Sequence, residues 1–119
     1  MTTQEIANDL VSMCKAGQFD EVYDKHYADD IVSKEAMPGE MAELKGLEAV
    51  KGKAQWWNST YEVLGVDVEG PYVNGDQFAV RFNLKTKERE TGKEEQMDEV
   101  AVYDVRDGKV RQETFFYGS

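Results

Sequence analysis

The last third of the chain constrains the fold more than any other stretch. Between Gln77 and Lys85, the residues Phe78, Val80, Phe82 and Leu84 alternate with Ala79, Arg81, Asn83 and Lys85. A period of two turns one side of a strand toward a core and the other toward water. The segments 96–105 and 109–117 are rich in β-branched and aromatic residues, and Arg106-Asp107-Gly108-Lys109 supplies a tight turn between them. Asp107 and Gly108 suit a turn whose central residues both need positive φ. Strands this long in a chain of 119 residues need cover, and the N-terminal half is expected to supply it. The pattern predicts a cone-like α+β domain, with N-terminal helices packed on a curved, mainly antiparallel sheet around a pocket.

Thr2 and Glu5 have capping-box spacing, and Ile6, Leu10, Met13 and Cys14 follow at helical intervals. Gly17 is placed to end that helix in the left-handed conformation. A second helix carries Phe19, Val22, Tyr23, His26 and Tyr27 on one face and is expected to end at Ala28-Asp29-Asp30. Residues 31–36 read as a short strand and 37–46 as a loop containing Pro38, Gly39 and Gly46. Its Met37 and Met41 suit either a flexible cover over an apolar opening or a plain surface connection.

Leu47, Val50, Ala54, Trp57 and Tyr61 mark a third helix. Trp56 falls nearly opposite them, which fits either a second contact surface or simple partial exposure. Strands resume at Val63, with Gly70-Pro71 marking a bulge or bend and Asn74-Gly75 a hairpin. The charged stretch 87–95 is expected to be a solvated hairpin tip. The order is helix, helix, short strand, helix, then four long strands in an antiparallel meander. In the last two strands Ala101, Tyr103 and Val105 lie on one face, and Val100 and Val102 on the other. Both faces need cover, and a second copy of the chain is the simplest source for the outer one, giving a homodimer through the sheet.

The length fits one domain spanning 1–119. A formal net charge of −10 argues against nucleic-acid binding, which depends on Lys and Arg neutralising phosphates. No apolar run approaches the ~18 residues of a membrane span, and the start has no basic, apolar leader. With Cys14 as the single cysteine, no intramolecular disulfide can form, and a cytoplasmic location is expected. His26 is the single histidine, so no metal site and no cofactor are expected. On the apolar face of its helix, His26 reads as a core histidine or as a pocket acid–base group.

The chain resembles the SnoaL-like branch of the NTF2-like superfamily over essentially its whole length. The matching stretches are Ala16-Gly17-Gln18-Phe19-Asp20, Tyr27-Ala28-Asp29-Asp30, Gly46 through Trp57, residues 103–110 and Phe115-Phe116-Tyr117. The resemblance implies a cone-shaped sheet around a pocket, frequent dimers, and uses as diverse as isomerases, polyketide cyclases, dehydratases and binding modules. Fold alone does not choose among them. Set against the ketosteroid isomerases of that superfamily, Glu35 falls where the catalytic carboxylate base would be. Leu10 and Ala101 fall where the two oxyanion donors would be, so steroid-isomerase chemistry is not implied. The same alignment turns Glu99, Ala101 and Tyr103 inward from one strand and Glu113, Phe115 and Tyr117 from the next, with Trp57 beside them.

Such a lining suits a small hydrophobic or amphipathic molecule. Glu35 is the expected general base and Tyr103 or Tyr117 the expected donor to a developing enolate. Three functions remain open. One is a cofactor-independent isomerase, cyclase or hydratase. The others are a non-catalytic binding protein and a dimerisation module.

Overall fold

The computed structural model describes residues 1–117. In chain order the elements are α1 (Thr3–Lys15), α2 (Phe19–His26), β1 (Tyr27–Lys34), β2 (Glu43–Lys45), α3 (Leu47–Thr60), β3 (Tyr61–Asn74), β4 (Gln77–Glu88), β5 (Glu94–Arg106) and β6 (Lys109–Phe116). The expected domain boundary at 119 lies outside the described residues.

The capping box forms at the start of α1. Thr2 Oγ1 accepts the Glu5 amide at 3.1 Å and Glu5 Oε1 accepts the Thr2 amide at 2.9 Å, which satisfies two donors that the helix itself cannot. Past the other end Gly17 sits at φ +77°, a conformation glycine adopts without penalty. The stripe of Ile6, Ala7, Leu10, Val11 and Cys14 is buried, and α1 packs on β3, β4 and α2. Burial pushes the Cys14 thiol up to about 12, which leaves it inert as a nucleophile.

The six strands form one open sheet in the order β2-β1-β6-β5-β4-β3. Among the described residues only β1 and β6 run parallel, and β3 to β6 form the expected antiparallel meander. Phe78, Val80, Phe82 and Leu84 of β4 are all buried, as their alternation requires. Asp107 and Gly108 take φ of +54° and +75° in the β5–β6 turn. The β3–β4 register shifts between Glu69 and Tyr72, at Gly70-Pro71, where a bulge was expected. Among the described residues no helix is long and apolar enough to cross a membrane.

The elements differ from the sequence reading around β1, in the 37–46 segment and at the α3–β3 junction. Helix α2 stops at His26 rather than at 28–30, and β1 spans Tyr27–Lys34 rather than 31–36. The apolar spacing does continue to Tyr27, but Tyr27 pairs with Val110 of β6, and that ladder pulls the backbone extended. Within the expected loop 37–46, Glu43–Lys45 forms a short edge strand against 32–34. Helix α3 ends one residue early, and β3 begins at Tyr61 rather than Val63.

Candidate active site

Strand register assembles a polar cluster on the helix-covered face of the sheet. Ser33 of β1 lies opposite Glu113 of β6, and Glu113 lies opposite Tyr103 of β5. All three are buried. Farther along the same strands Phe115 pairs with Ala101, and Glu99 lies opposite Phe82. Glu35 follows the last residue of β1, and α3 adds Lys53 from above.

Hydrogen bonds join these groups in one run. The Glu113 carboxyl, 2% exposed, accepts the Tyr27 hydroxyl at one oxygen and Ser33 Oγ at the other, 2.8 Å away. Lys53 Nζ donates to Ser33 Oγ at 2.9 Å and to Glu35 Oε1 at 2.7 Å. The Tyr117 hydroxyl donates to Glu35 Oε2 at 3.0 Å. Lys53 also lies 5.3 Å from the centre of the Phe115 ring, within cation–π range.

The electrostatics follow from three carboxyl groups around one ammonium. Burial, then the charges of Glu35 and Glu113, push Glu99 up to about 7, against which Lys53 acts only weakly. Burial likewise raises Glu113, while hydrogen bonds from Tyr27 and Ser33 and the charge of Lys53 pull it back. Burial and the Glu35 carboxylate raise the Tyr117 hydroxyl, and burial raises Tyr103. Glu35 and Glu99 thus share a site but not an environment, since one is tied to an ammonium and the other is desolvated beside like charge.

Of the residues expected from the sequence, Glu35, Glu99, Glu113, Phe115 and Tyr117 come together here. Ala101 is fully buried next to Phe115 in the ladder. Trp57 is half-buried on the turn of α3 after Lys53, 5.3 Å from the Tyr61 ring. Tyr103 stacks on Phe78 with ring centres 4.8 Å apart, the position of a core aromatic. His26 is not hydrogen-bonded to the cluster. Its Nε2 lies 2.6 Å from Asp9 Oδ2 of α1, where Lys25 also pairs, because the inner face of the short α2 points at α1.

Lys53, Ser33 and Tyr27 went unrecognised as site residues. The signal for Lys53 was its place three residues after Val50 and four before Trp57, which puts a cation on the apolar side of α3. For Ser33 it was the two-residue step from Ile31. Two surface depressions, of about 940 and 450 Å³, are lined by other groups, and neither includes Glu35, Lys53, Glu99 or Glu113.

Helices on one face of an open, mainly antiparallel sheet, with an acid–base cluster held between the layers, define an α+β protein of the NTF2-like class. Within that class the chain belongs to the SnoaL-like domain family, which matches residues 1–117. It is similar to a protein of Mesorhizobium loti, provisionally named a SnoaL-like polyketide cyclase with carbohydrate phosphatase as a second designation. The two are 49% identical, over 98% of this chain and all of that one, with a TM-score of 0.94. A Bacillus subtilis protein provisionally named an isomerase shares the fold at 13% identity and a TM-score of 0.81, over 99% of this chain and 90% of that one. So does a Catenulispora acidiphila protein with a ketosteroid isomerase-like fold, solved with trimethylamine, at 16% identity and a TM-score of 0.76, over 98% and 88%. No curated protein matches the chain.

Proposed function

We propose that this protein is a cofactor-independent proton-transfer catalyst, an isomerase or cyclase acting on a small, partly apolar carbonyl compound. The observation that carries this reading is the pair of carboxyl groups in opposite environments, Glu35 beside Lys53 and Glu99 pushed up to about 7. Neighbouring carboxyls held in such different environments take separate acid and base roles.

In this scheme the Glu35 carboxylate, paired with Lys53, removes the proton next to the carbonyl. A carboxylate has about four lone-pair directions, so bonds from Lys53 and Tyr117 leave room for that proton. The electron pair of the broken C–H bond moves toward the carbonyl oxygen, where protonated Glu99 donates a hydrogen bond to the developing enolate. Returning the proton at another carbon gives an isomerase. Attack of the carbanion on a second carbonyl gives a cyclase. Of the two donors expected from the sequence, Tyr103 packs against Phe78 and Tyr117 donates to Glu35, so in this scheme the donor role passes to Glu99. The polyketide cyclase designation of the Mesorhizobium protein supports this class of chemistry, while its phosphatase designation does not.

The test needs no prior substrate. Ketones and β-dicarbonyl compounds are incubated in heavy water with the protein, and deuterium uptake next to the carbonyl is followed by NMR. Wild type should accelerate uptake for some members, and Glu35→Gln should lower that rate by roughly 10²–10⁴-fold. Binding of these compounds without exchange would instead make the protein a non-catalytic binder.

A further inference from the structure

A lysine among carboxyl groups ordinarily suggests a docking point for an anionic substrate. Here two of its three donors are already engaged. An ammonium has three N–H donors and no acceptor. Lys53 gives one to Ser33 Oγ and one to Glu35 Oε1, and its charge lies over the Phe115 ring. Lys53 is 16% exposed and Glu35 20%, so the pair is largely withdrawn from water.

The other groups around it are acidic or neutral. Strand β5 contributes Glu99 and β6 contributes Glu113 and Phe115, while Tyr117 closes on Glu35. Tyr27 and Ser33 direct their hydroxyl protons to Glu113. Lys53 is the cation whose charge acts on both Glu99 and Glu113. Above neutral pH, where Glu99 has released its proton, an incoming carboxylate or phosphate would therefore meet like charge and a single remaining ammonium donor that lies over the Phe115 ring, and juxtaposed like charges strongly suppress a partner. A neutral carbonyl compound meets no such opposition.

We infer that the Lys53–Glu35 ion pair is the specificity determinant of the site, restricting it to uncharged ligands and rejecting carboxylates and phosphates. The inference rests on the small-ligand site proposed above, but not on any turnover there. It carries a sharp consequence. Neutralising Glu35 releases an ammonium donor into the site, so Glu35→Gln should convert a site that rejects anions into one that accepts them.

Cyclohexanone, cyclohexanecarboxylate and inorganic phosphate serve as probes, titrated at about pH 8, where the carboxylate is fully ionised. Dissociation constants come from calorimetry and ligand-observed NMR. Wild type should bind cyclohexanecarboxylate and phosphate weaker than cyclohexanone, by on the order of tenfold or more. Glu35→Gln should gain affinity for the carboxylate, also by on the order of tenfold, and adding Lys53→Met should erase the gain. Glu35 lies past the end of β1, and Glu35→Ala serves as a second variant with the same expectation.

Wild type that binds the carboxylate as tightly as the ketone overturns the inference. So does a Glu35 variant that gains nothing, or a gain that survives Lys53→Met. If wild type binds none of the probes while the Glu35 variants acquire carboxylate binding, the ion-pair inference stands and the proposed small-carbonyl function is the one in difficulty.

Discussion

At the scale of single residues, Glu99 offers a consequence that can be measured without a substrate. Its carboxyl is raised from 4.5 to about 7, so across that window the folded chain holds a proton that the unfolded chain has released. Stability therefore falls as pH rises through the window, by at most about 3 kcal/mol for a shift of this size. Glu99→Gln imitates the protonated form. Urea denaturation should find variant and wild type alike near pH 4 and the variant more stable near pH 8, by roughly 1–3 kcal/mol. Glu113 is raised mainly by its own burial, so the difference between variant and wild type reports Glu99 together with its charge coupling to Glu35 and Glu113. If the two stay parallel across the range, Glu99 is not perturbed. Tyr27→Phe tests the other end of the run. It leaves a buried carboxyl oxygen without its donor and should cost about 1–3 kcal/mol in the same assay. The carboxyl groups were legible through the resemblance to the ketosteroid isomerases, which sets Glu35 at the carboxylate base and turns Glu99 and Glu113 inward. Lys53 was not, because a lysine in an amphipathic helix reads as solvent-facing until the sheet beneath is known to be acidic.

Among the elements, the β3–β4 hairpin holds the most constrained backbone position. Gly70 sits at φ +123°, and a Cβ there would lie 3.1 Å from the Ala79 carbonyl oxygen on the facing strand. Both the dihedral and the contact oppose any side chain, so Gly70→Ala should destabilise the fold by about 1–3 kcal/mol. Thermal unfolding checks it, and an unchanged midpoint would mean that the bulge relaxes freely. Bulges of this kind could be read from Gly-Pro in a strand pattern. The α2–β1 junction could not, because Tyr27 satisfies two patterns at once. It is the eighth step of a helical stripe from Phe19 and also the first rung beside Val110. Pairing with β6, a partner far away in sequence, decided the matter, and it is that extended conformation which lets Tyr27 reach Glu113. The short β2 was hidden for a similar reason. Its residues Glu43, Leu44 and Lys45 have no strand signature of their own and are held by the edge of β1.

For the whole molecule, the outer face of the sheet is the feature the monomer leaves unresolved. The layered plan could be read from the order of periodicities alone, since four alternating strands after amphipathic helices have few ways to bury one face. That plan covers only one face. On the other, Phe116 lies opposite Val100, Val102 opposite Ala79, and Ala79 opposite Tyr72. Phe116 is 55% and Tyr72 63% exposed, which places an apolar band across the middle strands of the sheet. Arg81 lies opposite Val100 beside this band and is paired there with Glu69 and Asp98. A symmetric partner would present the same band back to it, and closed two-fold pairing is the commonest way such a face is covered. The protein is therefore expected to be a homodimer through this face. Sedimentation velocity should show a dimer at micromolar concentration, and Val102→Lys, a change outside the helix-covered core, should yield a folded monomer. A wild-type monomer at that concentration would sink the assignment. A dimer that ignores Val102→Lys would move the interface elsewhere, and the exposed Trp56 on α3 is then the next surface to mutate.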